Sequence, residues 1–127
     1  MLLGVLVLSV ARVLTPHPDG VGTHTQLGLP ACFFLQWTGL PCPACGLTTC
    51  FTHMAHGALR AGVACHPIGA LLFGLLAISI PLAMYAAVRG SAPFETWWRM
   101  HARHAGVALA CALLAQWSLR IARLLLG

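Results

Sequence analysis

The feature that most constrains this chain is the segment 67–88, PIGALLFGLLAISIPLAMYAAV, which carries no charged residue. As a helix it extends about 33 Å, enough to cross the roughly 30 Å hydrocarbon core of a bilayer. Pro67 suits the first helical position, where its missing N–H is not needed. Pro81 falls inside the run and predicts a kink, or a freed carbonyl re-satisfied by a neighbour.

Composition points the same way. Hydrophobic residues make up 59% of the 127-residue chain and charged residues 7%, against roughly 25% charged in soluble domains. The length limits the chain to one domain. The net charge of +5 comes from seven arginines, with no lysine, against Asp19 and Glu95. Dispersed arginines in so apolar a chain suit membrane flanks and lipid phosphates, whereas nucleic-acid binding would need them clustered on one soluble face. The expected partners are the lipid bilayer and a membrane protein, and nucleic acid is set aside. Secreted disulfide scaffolds are stapled because they lack an apolar core, so six cysteines in a chain with an excess of apolar residue do not make it one. Cys65 and Cys111 lie in or beside apolar runs and read as packing residues.

Residues 1–14 reach only about 21 Å as a helix. They read as a short, uncleaved first span, because a positive n-region and an A-x-A-like cleavage site are both missing. Residues 15–45 form a cysteine-containing loop. Pro16, Pro18 and Pro30, with Gly20, Gly22 and Gly28, exclude a regular element over 15–30. The aromatic run 31–37, ACFFLQW, is too short to span and reads as interfacial, with Trp37 at headgroup level. Over 46–62 the pattern turns helical, with Leu47, Phe51, Met54 and Ala58 on one stripe. Thr49, Thr52, His53, His56 and Arg60 fall opposite. This amphipathic helix is expected in the interface, its apolar face towards lipid and its polar side towards the loops. Residues 89–104 form a polar connection in which Trp97 and Trp98 sit beside arginines, as a membrane boundary favours. The last run, 105–126, is a third span if Arg120 and Arg123 snorkel near its end.

The fold expected is therefore all-α: a small polytopic membrane protein of about three transmembrane helices, with an interfacial amphipathic helix and a Cys-rich loop. Arg12, Arg60, Arg120 and Arg123 fall on the side of that loop, and Arg89, Arg99 and Arg103 on the other with the amino terminus. Four against three plus a terminus leaves orientation undecided by the positive-inside rule.

Chemistry gathers in 38–56, which holds three of the six cysteines and two of the seven histidines. Cys42-Pro43-Ala44-Cys45-Gly46 has the CPxCG spacing of a zinc knuckle, in which two thiolates share one ion and glycine permits the turn. Cys32 supplies a third ligand, and His24, Cys50 or His53 a fourth. The candidate zinc ligands are thus drawn from Cys32, Cys42, Cys45, Cys50 and His53. A second reading is thiol–disulfide exchange. A C-x-x-C at a helix N-terminus has a lowered thiol pKa, with Cys42 attacking and Cys45 resolving, although no βαβ pattern supplies a thioredoxin-like frame. A third is a structural disulfide or a tight turn with buried cysteines. His53 and His56, like His101 and His104, are spaced i, i+3 and suit solvent or headgroups as well as a metal. No pair of carboxylates is placed for acid/base work, and no serine sits in a nucleophile motif, so no catalytic residue is assigned.

GTHTQLGLPAC at 22–32, TGLPCPACGLT at 38–48, the helix that follows with Gly57, and the span opened by Pro67 together resemble a bacterial membrane-protein family known as domain of unknown function 2752. The resemblance covers about half of the chain. It implies a small multi-spanning protein, integral to the bacterial inner membrane, and no established activity. Two positions depart from the family pattern. Thr49 stands where CGxTR has arginine, with Arg60 the nearby substitute, and His66 precedes Pro67 where asparagine is common. The function expected is that of a non-enzymatic membrane component whose loop is held by metal or disulfide for contact with a partner. The alternative is a membrane thiol–disulfide oxidoreductase using Cys42 and Cys45.

Overall fold

The computed structural model describes residues 2–90 and 93–127, with side chains outside 93–99. The expected boundary role of Trp97 and Trp98, beside Glu95 and Arg99, lies outside the described residues. Among the described residues the fold is all helical. The helices are α1 (Leu2–Val13), α2 (Phe33–Thr38), α3 (Leu47–Ala55), α4 (Leu59–Cys65), α5 (Pro67–Arg89) and α6 (Pro93–Leu126). One 3-10 turn, Thr23–Leu27, interrupts the stretch 15–30 that was expected to hold no regular element.

His66 and Pro67 start α5 together. Proline occupies the first turn, and His66 Nδ1 accepts the Gly69 N–H at 3.0 Å, satisfying a donor that the helix itself cannot. The helix continues through Pro81 to Arg89, a length of about 35 Å. Pro67–Arg89 and Met100–Leu126 are both long and apolar enough to cross a membrane, with mean hydropathies of 2.2 and 1.5, and neither is buried inside the protein. Leu71, Leu75, Ile78 and Leu82 on α5, with Val107, Leu114 and Leu119 on α6, are exposed. Exposed apolar side chains in this number mark faces that meet lipid or another protein. Helix α1 is a shorter apolar helix of 12 residues.

The polar connection expected over 89–104 is corrected. Gly90 turns the chain and α6 begins at Pro93, so most of those residues belong to the helix. From Phe94 to Ala105 neither glycine nor proline interrupts the sequence, and polarity alone does not end a helix. Gln116 Oε1 accepts the Ile68 N–H at 3.2 Å, which places the second half of α6 beside the first turn of α5 and makes the two antiparallel. Helix α1 also runs against α5. A Cβ at Gly4 would lie 3.1 Å from Leu76 Cδ1, while Ala11 and Leu14 at its other end line a cavity with Leu47 and Phe51 of α3.

The single amphipathic helix expected over 46–62 is corrected to a hairpin, α3 followed by α4. Gly57 adopts φ +79°, its N–H bonds to the Met54 carbonyl at 3.1 Å, and the Ala58 N–H bonds to the His53 carbonyl at 2.9 Å. These are the paired bonds of a Schellman motif, which caps α3 where the apolar period alone would have carried it on. The orientation also differs from the interfacial expectation. Thr49, Cys50 and Thr52 are fully buried, and Phe51 packs edge-on against Phe73 of α5 with ring centroids 5.5 Å apart. Helix α3 is thus the hub, contacting α1, α4, α5 and the 3-10 turn. Its small polar residues face inward because partners wait there. Thr49 Oγ1 lies 2.8 Å from Thr23 Oγ1, and Thr52 Oγ1 donates to the Thr48 carbonyl at 2.8 Å. No buried side-chain nitrogen or oxygen among the described residues lacks a hydrogen-bond partner.

Candidate metal centre

The segment leading into α3 is a tight turn. The Cys45 N–H bonds to the Cys42 carbonyl at 3.0 Å and the Leu47 N–H to the Ala44 carbonyl at 3.1 Å. Gly46 then takes φ +93°, with a neighbouring carbonyl, that of Gly20, 3.0 Å from where a Cβ would stand. Only glycine fits there, and its left-handed conformation sends the chain from turn into helix. Cys32 arrives from the other side as the residue preceding α2. The Sγ atoms of Cys32, Cys42 and Cys45 consequently lie within 4.8 Å of one another. Sulfurs around a tetrahedral zinc, with Zn–S near 2.3 Å, stand roughly 3.8 Å apart, so a small contraction would accommodate the ion. All six cysteines are free thiols.

Cys32 and Cys45 are shifted in opposite directions, for physical reasons. The Leu35 backbone N–H at the start of α2, followed by hydrogen bonds from Cys45 and Cys42, favours the Cys32 thiolate and lowers its pKa. Burial pushes the Cys45 thiol up to about 12, and the neighbouring Cys42 and Cys32 add to the shift. Cys32 is thus biased towards the thiolate and Cys45 towards the thiol. Like charges this close suppress further ionisation. A bound cation reverses that, since each thiolate then neutralises metal charge instead of repelling its neighbours.

Three carbonyls of the cysteine turn are each held by a side chain, two from α6 and one from the residue that caps α5. Trp117 Nε1 donates to Pro41 O at 2.7 Å, His66 Nε2 to Pro43 O at 3.2 Å, and Arg120 NH1 to Cys45 O at 3.0 Å. The His66 assignment follows from its other nitrogen. Nδ1 accepts from Gly69, so the proton of the neutral ring sits on Nε2. Trp117, Arg120 and His66 were not singled out from the sequence as site residues. Arg120, expected to snorkel on the side of the cysteine loop, reaches the loop itself. Arg60, the expected substitute for the family's arginine, is exposed, and Thr49 at that arginine's position is buried against Thr23. The available signal was the i, i+3 spacing of Trp117 and Arg120 in the last, largely apolar run.

A cavity of about 330 Å³ opens beside the trio, lined by all three cysteines and by His24, Leu35 and Thr49 among others. The remaining candidates lie elsewhere. Cys50 is fully buried, its Sγ donates to the His66 carbonyl at 3.4 Å, and burial pushes its thiol up to about 11. His53 is half-buried on α3. Neither belongs to the close cluster.

The family model described as "Protein of unknown function (DUF2752)" matches residues 32–80. The match begins at the first cysteine of the trio and ends inside α5, leaving the 22–31 stretch outside it. No curated protein and no solved structure matches the chain. From Cys32 through the hairpin into α5, this chain resembles that family of unknown function.

Proposed function

We propose that Cys32, Cys42 and Cys45 form a structural thiolate site for zinc in a non-enzymatic integral membrane protein, one that belongs in the bacterial inner membrane. The observation that carries this reading is the convergence of three Sγ atoms within 4.8 Å from two separate segments. Thiolates select soft and borderline ions, zinc and copper(I) among them, over magnesium or calcium. The carbonyl contacts from Trp117, His66 and Arg120 supply an outer shell of the kind that orients ligands. The metal would fix the loop to the ends of α5 and α6, presenting a rigid surface at the membrane boundary to a membrane-protein partner.

Thiol–disulfide exchange through Cys42 and Cys45 gains less support. A resolving cysteine must ionise to attack, and the buried Cys45 thiol, pushed up to about 12, is almost wholly protonated at neutral pH.

Metal analysis of detergent-purified protein tests the proposal. Wild-type protein should carry about one zinc per chain, and Cys42→Ser should lose most of it. Metal-free wild-type protein that still exchanges disulfides would reject the structural reading in favour of the redox one.

A further inference from the structure

The trio supplies three ligands, and a closed structural zinc site takes four. Sequence spacing leaves His24, Cys50 and His53 as alternatives. We infer that His24 is the fourth ligand, through Nδ1, so that the centre is a closed Cys3His site with no position for an exogenous ligand. This rests on the trio binding metal.

Four observations converge. His24 lines the same 330 Å³ cavity as the three thiols, whereas neither Cys50 nor His53 does. Its Nε2 lies 3.2 Å from the Pro30 carbonyl, a contact that places the proton on Nε2 and leaves the Nδ1 lone pair available. Metal-bound imidazoles are held in this way, with the second nitrogen donating to a carbonyl that fixes tautomer and ring orientation. The backbone beside His24 is already anchored to the knuckle's own helix, because Thr23 Oγ1 meets Thr49 Oγ1 at 2.8 Å and accepts the His17 N–H at 3.1 Å. His24 stands outside the close sulfur cluster, so its ring closes on the thiols when the metal binds, and the Pro30 carbonyl on which it rests belongs to the segment that leads into Cys32.

Charge agrees with this choice. Three thiolates around a divalent ion leave one negative charge, which a neutral imidazole does not increase, and Arg120 on the Cys45 carbonyl offsets it. A fourth thiolate from Cys50 would double the residual charge, and its sulfur is engaged with the His66 carbonyl.

Cobalt(II) substitution reads the ligand set directly. The full-length wild-type protein in detergent should bind one Co²⁺ with the intense visible bands of a tetrahedral site of three sulfurs and one nitrogen. His24→Ala should shift and weaken those bands, and free imidazole should restore them. Its zinc affinity should fall at least as far as loss of an outer-shell partner takes it, about 10- to 100-fold. His53→Ala should leave the spectrum unchanged. An unaltered spectrum and affinity in His24→Ala, or a shift produced by His53→Ala instead, overturns the assignment while leaving the trio intact. X-ray absorption of the zinc protein gives a second readout: imidazole scattering that His24→Ala loses supports His24, and its absence from the wild type rejects it. Wild-type protein that takes up no Co²⁺ overturns both the assignment and the metal reading beneath it.

Discussion

Arg120 NH1 donates to the carbonyl oxygen of Cys45 at 3.0 Å, across 75 residues of sequence. The second cysteine of the knuckle is thereby tied to the last apolar helix. The bond satisfies a carbonyl of the turn, and it sets a fixed positive charge next to a site that becomes negative when three thiolates bind a divalent ion. Arg120→Ala is expected to weaken zinc binding by about 10- to 100-fold, the usual effect of removing an outer-shell partner. Arg120→Lys should recover part of it, keeping the charge but not the fork geometry. Competition with a chromophoric chelator measures both.

The Thr23–Thr49 contact joins the 3-10 turn to α3 where neither hydroxyl reaches solvent. Thr49→Val leaves the Thr23 hydroxyl with one partner fewer in a buried place and should cost about 1–3 kcal/mol. The double change Thr23→Val with Thr49→Val should cost less than the sum of the two single changes, the interaction having been removed from both sides. Denaturant unfolding in detergent, followed by helical circular dichroism, gives the cycle.

The Cys45 thiol is pushed from its ordinary 9.0 up to about 12 by burial. A group whose pKa is raised on folding stabilises the fold fully below its unfolded value and loses that contribution as pH climbs through the folded one. Metal-free protein should therefore lose stability between about pH 9 and 12, and Cys45→Ala should flatten that loss. The loaded protein should show the opposite slope at lower pH, since binding displaces thiol protons and affinity rises with pH. Unfolding midpoints of both forms across this range check the sign.

Gly57 ends α3 in a left-handed turn at φ +79°. Gly57→Ala should destabilise the protein by about 1–2 kcal/mol through that conformation alone, with zinc stoichiometry unchanged, because nothing lies within 4 Å of the added Cβ.

Much of the fold was legible in the sequence because lipid imposes simple rules. The uncharged run 67–88 had to be a helix of spanning length, and α5 is one. The cysteine trio was legible too, since Cys42 and Cys45 share a turn and Cys32 is the nearest thiol upstream. The hairpin was not, because the helical period of Leu47, Phe51, Met54 and Ala58 continues through Gly57, and only the turn's hydrogen bonds reveal the reversal. The polar residues of 89–104 suggested a loop, whereas a helix that outgrows the hydrocarbon core can carry such residues beyond it. Arg120 and Trp117 are 75 and 76 residues from the carbonyls they hold. No local pattern specifies such a pairing.

Thiol protection reports whether Cys32, Cys42 and Cys45 share one metal ion. Detergent-solubilised protein loaded with zinc should resist alkylation at Cys32, Cys42 and Cys45, and a strong chelator should release about one zinc per chain as those three sites become reactive together. Equal labelling of the trio with and without zinc, and no metal released by the chelator, would rule out a metal site there.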